Sequence, residues 1–145
     1  MTATGLGLGN VFNIVPTATT VTIPLTRAGS VAFICVDAGS GDQVLTMTEL
    51  DSTAVNSEQA LDVNFNAHNA PDIGGAWTFQ AYVDDTVANT GGSTNDTIYV
   101  DVQASQLSDG YDSVQCTVDA GTCIAVIYDL AVKRTPPNLA SNIVA

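Results

Sequence analysis

Apolar residues recur at every second position in short bursts along this chain: Val21, Ile23 and Leu25, then Leu61, Val63 and Phe65, then Trp77, Phe79, Ala81 and Val83. That is the period of a strand with one face buried, and no long stretch carries the 3.6-residue period of an amphipathic helix. Further bursts over Val31–Val36, Val44–Leu50, Ile98–Val102, Val114–Val118 and Cys123–Leu130 are rich in β-branched residues, so the pattern predicts about eight strands. Turn clusters separate them: AGSGD at 38–42, NAPDIGG at 69–75, NTGGSTND at 89–96, SDG at 108–110 and DAG at 119–121. Short strands punctuated in this way suggest a β-sandwich or barrel, here taken as an all-β, single-domain β-sandwich, and only Thr53–Leu61 has the residues for a helical turn. In this reading the sandwich occupies residues 13–132, flanked by a Gly-rich arm over 1–12 and a C-terminal arm over 133–145 whose Pro136 and Pro137 oppose regular pairing. Trp77 and Phe79, alternating within a strand pattern, read as core.

Two bursts depart from simple alternation. VAFICV at 31–36 and CIAVIY at 123–128 are apolar at every position, as in central strands covered on both sides or in a strand buried between subunits. A chain of 145 residues buries roughly 68–70% of its unfolded surface, enough for a core without metal or disulfide.

The charge is lopsided. Arg27, Lys133 and Arg134 are the three basic residues against fifteen carboxylates, for a net charge of −12, yet only 12% of residues are charged and 46% are apolar. Such a chain folds rather than staying disordered, and its surface repels phosphate backbones and anionic lipid, so neither nucleic acid nor membrane is an expected partner. The N-terminus MTATGLGLGN has no signal-peptide pattern and no run approaches 18 apolar residues, so synthesis in a cytoplasm is expected.

Candidate chemistry is sparse, and a non-enzymatic role with no cofactor is expected. Gly5, Gly7 and Gly9 lack the spacing and the strand–helix context of a phosphate loop. His68, the single histidine, lies in the polar NFNAHNAPD, has no nucleophile elbow to serve, and reads as a solvated loop residue; with no Cys pair beside it, zinc is not expected. Asp84, Asp85 and Asp96 are hard oxygen ligands of the kind calcium takes but form no EF-hand loop, and a solvated acidic surface is the stronger reading. Cys35 within VAFICV reads as core. Cys116 and Cys123 flank TVDAGT, a candidate hairpin that would let them face each other; a disulfide there is geometrically allowed, while a reducing cytoplasm favours thiols.

The segment 108–139, SDGYDSVQCTVDAGTCIAVIYDLAVKRTPPNL, together with GLGLGNVFNIVP, resembles the capsid decoration, or cement, proteins of tailed bacteriophages. The resemblance implies a β-rich domain on the outer capsid surface of a virion, often a homotrimer at local three-fold positions, with the major capsid protein as partner and terminal arms binding the lattice. On that basis the contact residues are Gly5, Leu6, Gly7, Leu8, Val11 and Phe12 in one arm and Lys133, Arg134, Pro136, Pro137 and Leu139 in the other. Lys133 and Arg134 would pair with carboxylates of the shell or a neighbouring subunit. LSDGYDSVQC is also similar to the tyrosine corner of immunoglobulin-like sandwiches, although Tyr111 and Cys116 are five apart rather than two, so an immunoglobulin-like sandwich and a jelly roll both stand. A second functional class is a carbohydrate- or receptor-binding sandwich in which Trp77, Tyr82 and Tyr111 stack on sugars and the Asp-rich loops hold calcium.

Overall fold

A computed structural model describes residues 13–16, 19–26, 28–37, 39, 42–61, 66–70, 76–80, 85–89 and 96–130. Among them are eleven strands: β1 (Asn13–Pro16), β2 (Thr20–Pro24), β3 (Ala28–Asp37), β4 (Gln43–Leu50), β5 (Gln59–Ala60), β6 (Asn66–Ala70), β7 (Thr78–Gln80), β8 (Thr86–Asn89), β9 (Asp96–Gln103), β10 (Ser113–Val118) and β11 (Thr122–Leu130). Among the described residues the helical content is one 3₁₀ turn at Ala104–Gln106.

Every pairing is antiparallel, and the pairs are nested: β1 with β11, β2 with β10, β3 with β9, and β4 with β8 and β5. The chain is thus a long two-armed ribbon, residues 13–50 against 86–130, wrapped on itself. Wrapping places the strands in two sheets, β1-β11-β3-β9-β6-β7 and β2-β10-β4-β5, with β8 also on β4. This order, with successive strands of each arm alternating between sheets, is the double Greek key of a jelly roll and excludes the immunoglobulin arrangement. The β6–β7 hairpin extends the larger sheet beyond the eight-strand roll.

The core lies between the sheets. Val31, Phe33, Cys35, Ile98, Val100, Val102, Cys123, Ala125 and Ile127 point inward from the larger sheet, and Val21, Ile23, Leu45, Met47, Val114, Cys116 and Val118 from the smaller, all 3% exposed or less. At the end of β4 the inward position belongs to Glu49, 1% exposed. Its carboxylate accepts hydrogen bonds from the Ser108 backbone N–H (2.6 Å) and hydroxyl (3.0 Å), which meets the requirement that a buried polar group be partnered.

Four sequence expectations are corrected. The segment 119–121 is not a hairpin turn, because β10 and β11 belong to different sheets; the chain crosses the sandwich there. Gly121 makes the crossing tight: its φ is +81° and a Cβ would lie 2.2 Å from the Val36 carbonyl oxygen. His68 is in strand β6, opposite Phe79 on one side and Tyr99 on the other, rather than in a loop. Trp77 and Phe79 are 54% and 63% exposed, not core, because β7 is an edge strand at the end of the hairpin. Thr53–Leu61 forms no helical turn. The Asp51 carboxylate instead gathers the Thr53 hydroxyl and the backbone N–H groups of Thr53, Val55 and Asn56, bonds that hold its pKa down at about 2.

Candidate functional site

Strand register sets which residues share a face, and the two outer faces of the sandwich differ. On the five-stranded sheet the outward positions are Thr20, Thr22, Val44, Thr46, Thr48, Gln115 and Thr117, aligned as Thr117 between Thr20 and Thr46 and Gln115 between Thr22 and Thr48. Their side chains bond one another: Gln115 Nε2 donates to Thr22 Oγ1 at 2.9 Å, and the Thr20 and Thr117 hydroxyls are 3.3 Å apart. This is a face made for water.

On the six-stranded sheet one row of register partners crosses β11, β3, β9, β6 and β7 as Ile124, Ile34, Tyr99, His68 and Phe79, and Ile124, Ile34, Tyr99 and Phe79 face outward in it. Adjacent rows bring Val126 opposite Ala32 and Ala32 opposite Asp101, then Val36 opposite Thr97. Ile34, Val36, Tyr99, Val126 and Tyr128 are half-buried and Ile124 is 39% exposed. Trp77 meets Tyr99 edge to face, with ring centroids 6.5 Å apart. The two fully apolar bursts therefore put their second face here, where aliphatic and aromatic side chains form one surface. Asp101 is the carboxylate within these rows, and it accepts the Tyr128 hydroxyl. Burial first, and then that hydrogen bond, keeps the Tyr128 phenol above its ordinary pKa; burial and the Asp101 charge do the same to Tyr99.

A second cluster lies inside. Cys35, Cys116 and Cys123, from β3, β10 and β11, all have 0% exposure, and their sulfurs lie within 4.8 Å of one another. No disulfide joins them. Cys116 and Cys123 are 3.7 Å apart across the sandwich, and the shortest separation, 2.7 Å, is between Cys35 and Cys123, which are opposite in register. Burial pushes the Cys116 thiol up, while hydrogen bonds from Cys116 and then Cys35 pull Cys123 down. The sequence hid this trio because its members are 81 and 7 residues apart and no ligand-spacing pattern links them.

The arm residues Gly5, Leu6, Gly7, Leu8, Val11, Phe12, Lys133, Arg134, Pro136, Pro137 and Leu139 lie outside the described residues, as do Tyr82 and Asp84. Tyr111 donates to the Ser57 carbonyl at 2.8 Å, so its hydroxyl buttresses the 51–57 loop, and Asp85 accepts from Thr86. A depression lined by Leu25, Thr26, Ala104, Leu107, Tyr111 and Asp112 encloses about 200 Å³, below the usual size of a small-molecule pocket. Among the described residues no helix is long and apolar enough to cross a membrane.

No family model and no curated protein matches the chain. Among solved structures it is similar to the SPBc2 prophage-derived protein YomS, with 11% identity and a TM-score of 0.44 over 82% of this chain and 94% of that one. Weaker likenesses are to the Yersinia pseudotuberculosis-derived mitogen (6% identity, TM-score 0.23, covering 94% of this chain and 96% of that one) and to the coat protein of Tobacco streak virus (12%, 0.20, 94% and 98%). Likenesses at these scores carry no argument about function.

Proposed function

We propose that the chain is a non-enzymatic virion structural protein that binds the outer surface of an icosahedral phage head and stabilises it by bridging capsomers. The observation that carries this reading is the apolar outer face of the six-stranded sheet, set against the hydroxyl-lined face opposite. A surface of Ile, Val and aromatic side chains on a protein of net charge −12 is costly to leave in water and suits a protein partner. The partners in this reading are the major capsid protein and further copies of the chain, as a homotrimer. Jelly rolls serve in viral shells and also in lectins, so the fold by itself does not choose between them. The acidic remainder keeps particles apart in solution, and many copies on one shell gain avidity from weak individual contacts.

The test is native mass followed by co-sedimentation with empty heads of the phage that carries the gene. A discrete species near three times 14.9 kDa that co-sediments with heads supports the reading. A monomer that stays in the supernatant at both low and high salt overturns it.

The exposure of Trp77 and Phe79 favours one other reading, a glycan- or receptor-binding jelly roll with an aromatic platform formed by Phe79 of β7 and Trp77 just before it. Glycan-array binding that vanishes on Trp77→Ala would move the assignment there, and sensitivity to a chelator would bring calcium with it.

A further inference from the structure

We infer that Cys35, Cys116 and Cys123 form a trithiolate site for one thiophilic d¹⁰ metal ion, Zn(II) foremost, which ties the two sheets together. Three sulfurs converge from three strands: Cys35 and Cys123 come from neighbouring strands of one sheet and Cys116 from the other sheet. Two of the three separations, 3.7 Å for Cys116–Cys123 and 3.9 Å for Cys35–Cys116, match the roughly 3.8 Å between sulfurs that Zn–S bonds of ~2.3 Å produce at tetrahedral angles. The third, 2.7 Å, opens by about 1 Å to complete the triangle. A disulfide would use Cys35 and Cys123 and leave Cys116 packed against both without a role; a metal uses all three.

The donor set selects the ion. Among the described residues no histidine, aspartate or glutamate joins the group, so the ligands are soft sulfur throughout, which favours Zn(II) or Cu(I) over hard cations. Burial selects further. Binding converts three thiols and a divalent ion into a complex of charge −1, releasing three protons; a monovalent ion would leave −2. All three residues are fully buried in an apolar core, where residual charge is costly, so the divalent ion is preferred. A d¹⁰ ion has no geometric preference from its d-electrons, so the three sulfurs would hold three corners of a tetrahedron and a bound water the fourth. With no exposed sulfur, loading occurs as the chain closes, which couples metal binding to folding.

The test is to denature the full chain under reducing conditions and refold it with one equivalent of Zn(II), Cd(II) or Cu(I), or with chelator, followed by desalting and elemental analysis. The expected result is one Zn(II) or Cd(II) retained per chain, a thiolate-to-metal charge-transfer band with Cd(II), three protons released per ion, and a higher melting temperature than the chelator-treated protein. Metal added to protein already folded with chelator should load far more slowly. Cys116→Ala should weaken retention by more than about tenfold while still folding, and Cys35→Ser gives the same readout from the other sheet. Metal-free protein with an identical melt under every condition overturns the inference, as does a Cys35–Cys123 disulfide found by non-reducing mass spectrometry in protein made without added oxidant. Preferential retention of Cu(I) over Zn(II) would overturn the choice of a divalent ion.

Discussion

The two outer faces of this jelly roll are built from strands of similar length and the same pairing, yet one carries Thr20, Thr22, Thr46, Thr48, Gln115 and Thr117 and the other Ile34, Val36, Tyr99, Ile124, Val126 and Tyr128. β-branched residues satisfy strand propensity in both, so propensity did not choose between them. Threonine offers the same stiff branched stem as valine with a hydroxyl that water or a neighbouring side chain can partner; isoleucine and valine offer only surface to be covered. The first face is finished when the monomer folds. The second gains by burial against something else, at about 25 cal/mol for each Å² covered.

The largest effect expected from this contrast is on association. Ile124→Asp, on the apolar face and 39% exposed, should weaken self-association or head binding by at least about 2 kcal/mol, roughly thirty-fold, by placing a charge where an interface is desolvated. Thr48→Asp, half-buried on the opposite face, should leave binding within about twofold. Circular dichroism must show both variants folded, and sedimentation gives the affinities. Equal losses in the two variants would remove the distinction between the faces.

How much of this was readable beforehand depends on what each signal encodes. Period two located the strands through Val21, Ile23 and Leu25 and again through Val114, Cys116 and Val118, because alternation is a local property. The unbroken apolar runs at 31–36 and 123–128 put apolar residues on both faces of β3 and β11, and the outer face is half-buried to exposed rather than covered. What alternation does not encode is which side is covered: Trp77 and Phe79 share a face whether they lie in the centre of a sheet or, as here, at its edge. The polar NFNAHNAPD reads as a loop at His68; its strand exists through pairing to β9 and β7, a long-range cause. The Cys35–Cys116–Cys123 convergence is likewise a product of the wrap, and the nearest local clue, TVDAGT, suggested a hairpin where the chain crosses between sheets.

A smaller effect is expected at the rim of the apolar face. Tyr128→Phe leaves Asp101 without its hydroxyl donor among aliphatic neighbours and should cost about 1 kcal/mol in a thermal melt. The wild-type protein has a matching pH dependence. A phenol whose folded pKa is raised above 10.0 contributes stability that is fully present below pH 10 and is lost as pH rises beyond it, since the unfolded chain ionises first. Melting temperature followed from about pH 8 to about pH 11 should therefore fall more steeply for wild type than for Tyr128→Phe. Parallel curves would mean that the hydroxyl on this face is ordinary.

The smallest effect on stability carries the sharpest test of what the threonines do. Thr22→Val with Thr48→Val keeps stem volume and β-branching at two outward positions while removing two hydroxyls, one of which accepts from Gln115 at 2.9 Å. Because both sites are partly exposed and Gln115 can turn to water, the fold should change by no more than about 0.5 kcal/mol per site. Association should respond instead, because the doubly substituted protein presents two apolar faces in place of one. On a protein with a single apolar face, assembly closes once that face is satisfied. A second one on the far side of the sandwich permits head-to-tail growth, since each added copy exposes a fresh face. The expected outcome is an unchanged melting temperature together with concentration-dependent, open-ended species in sedimentation, where the parent gives one discrete species. A double variant that sediments like the parent would show that hydroxyls on the five-stranded sheet do not limit assembly.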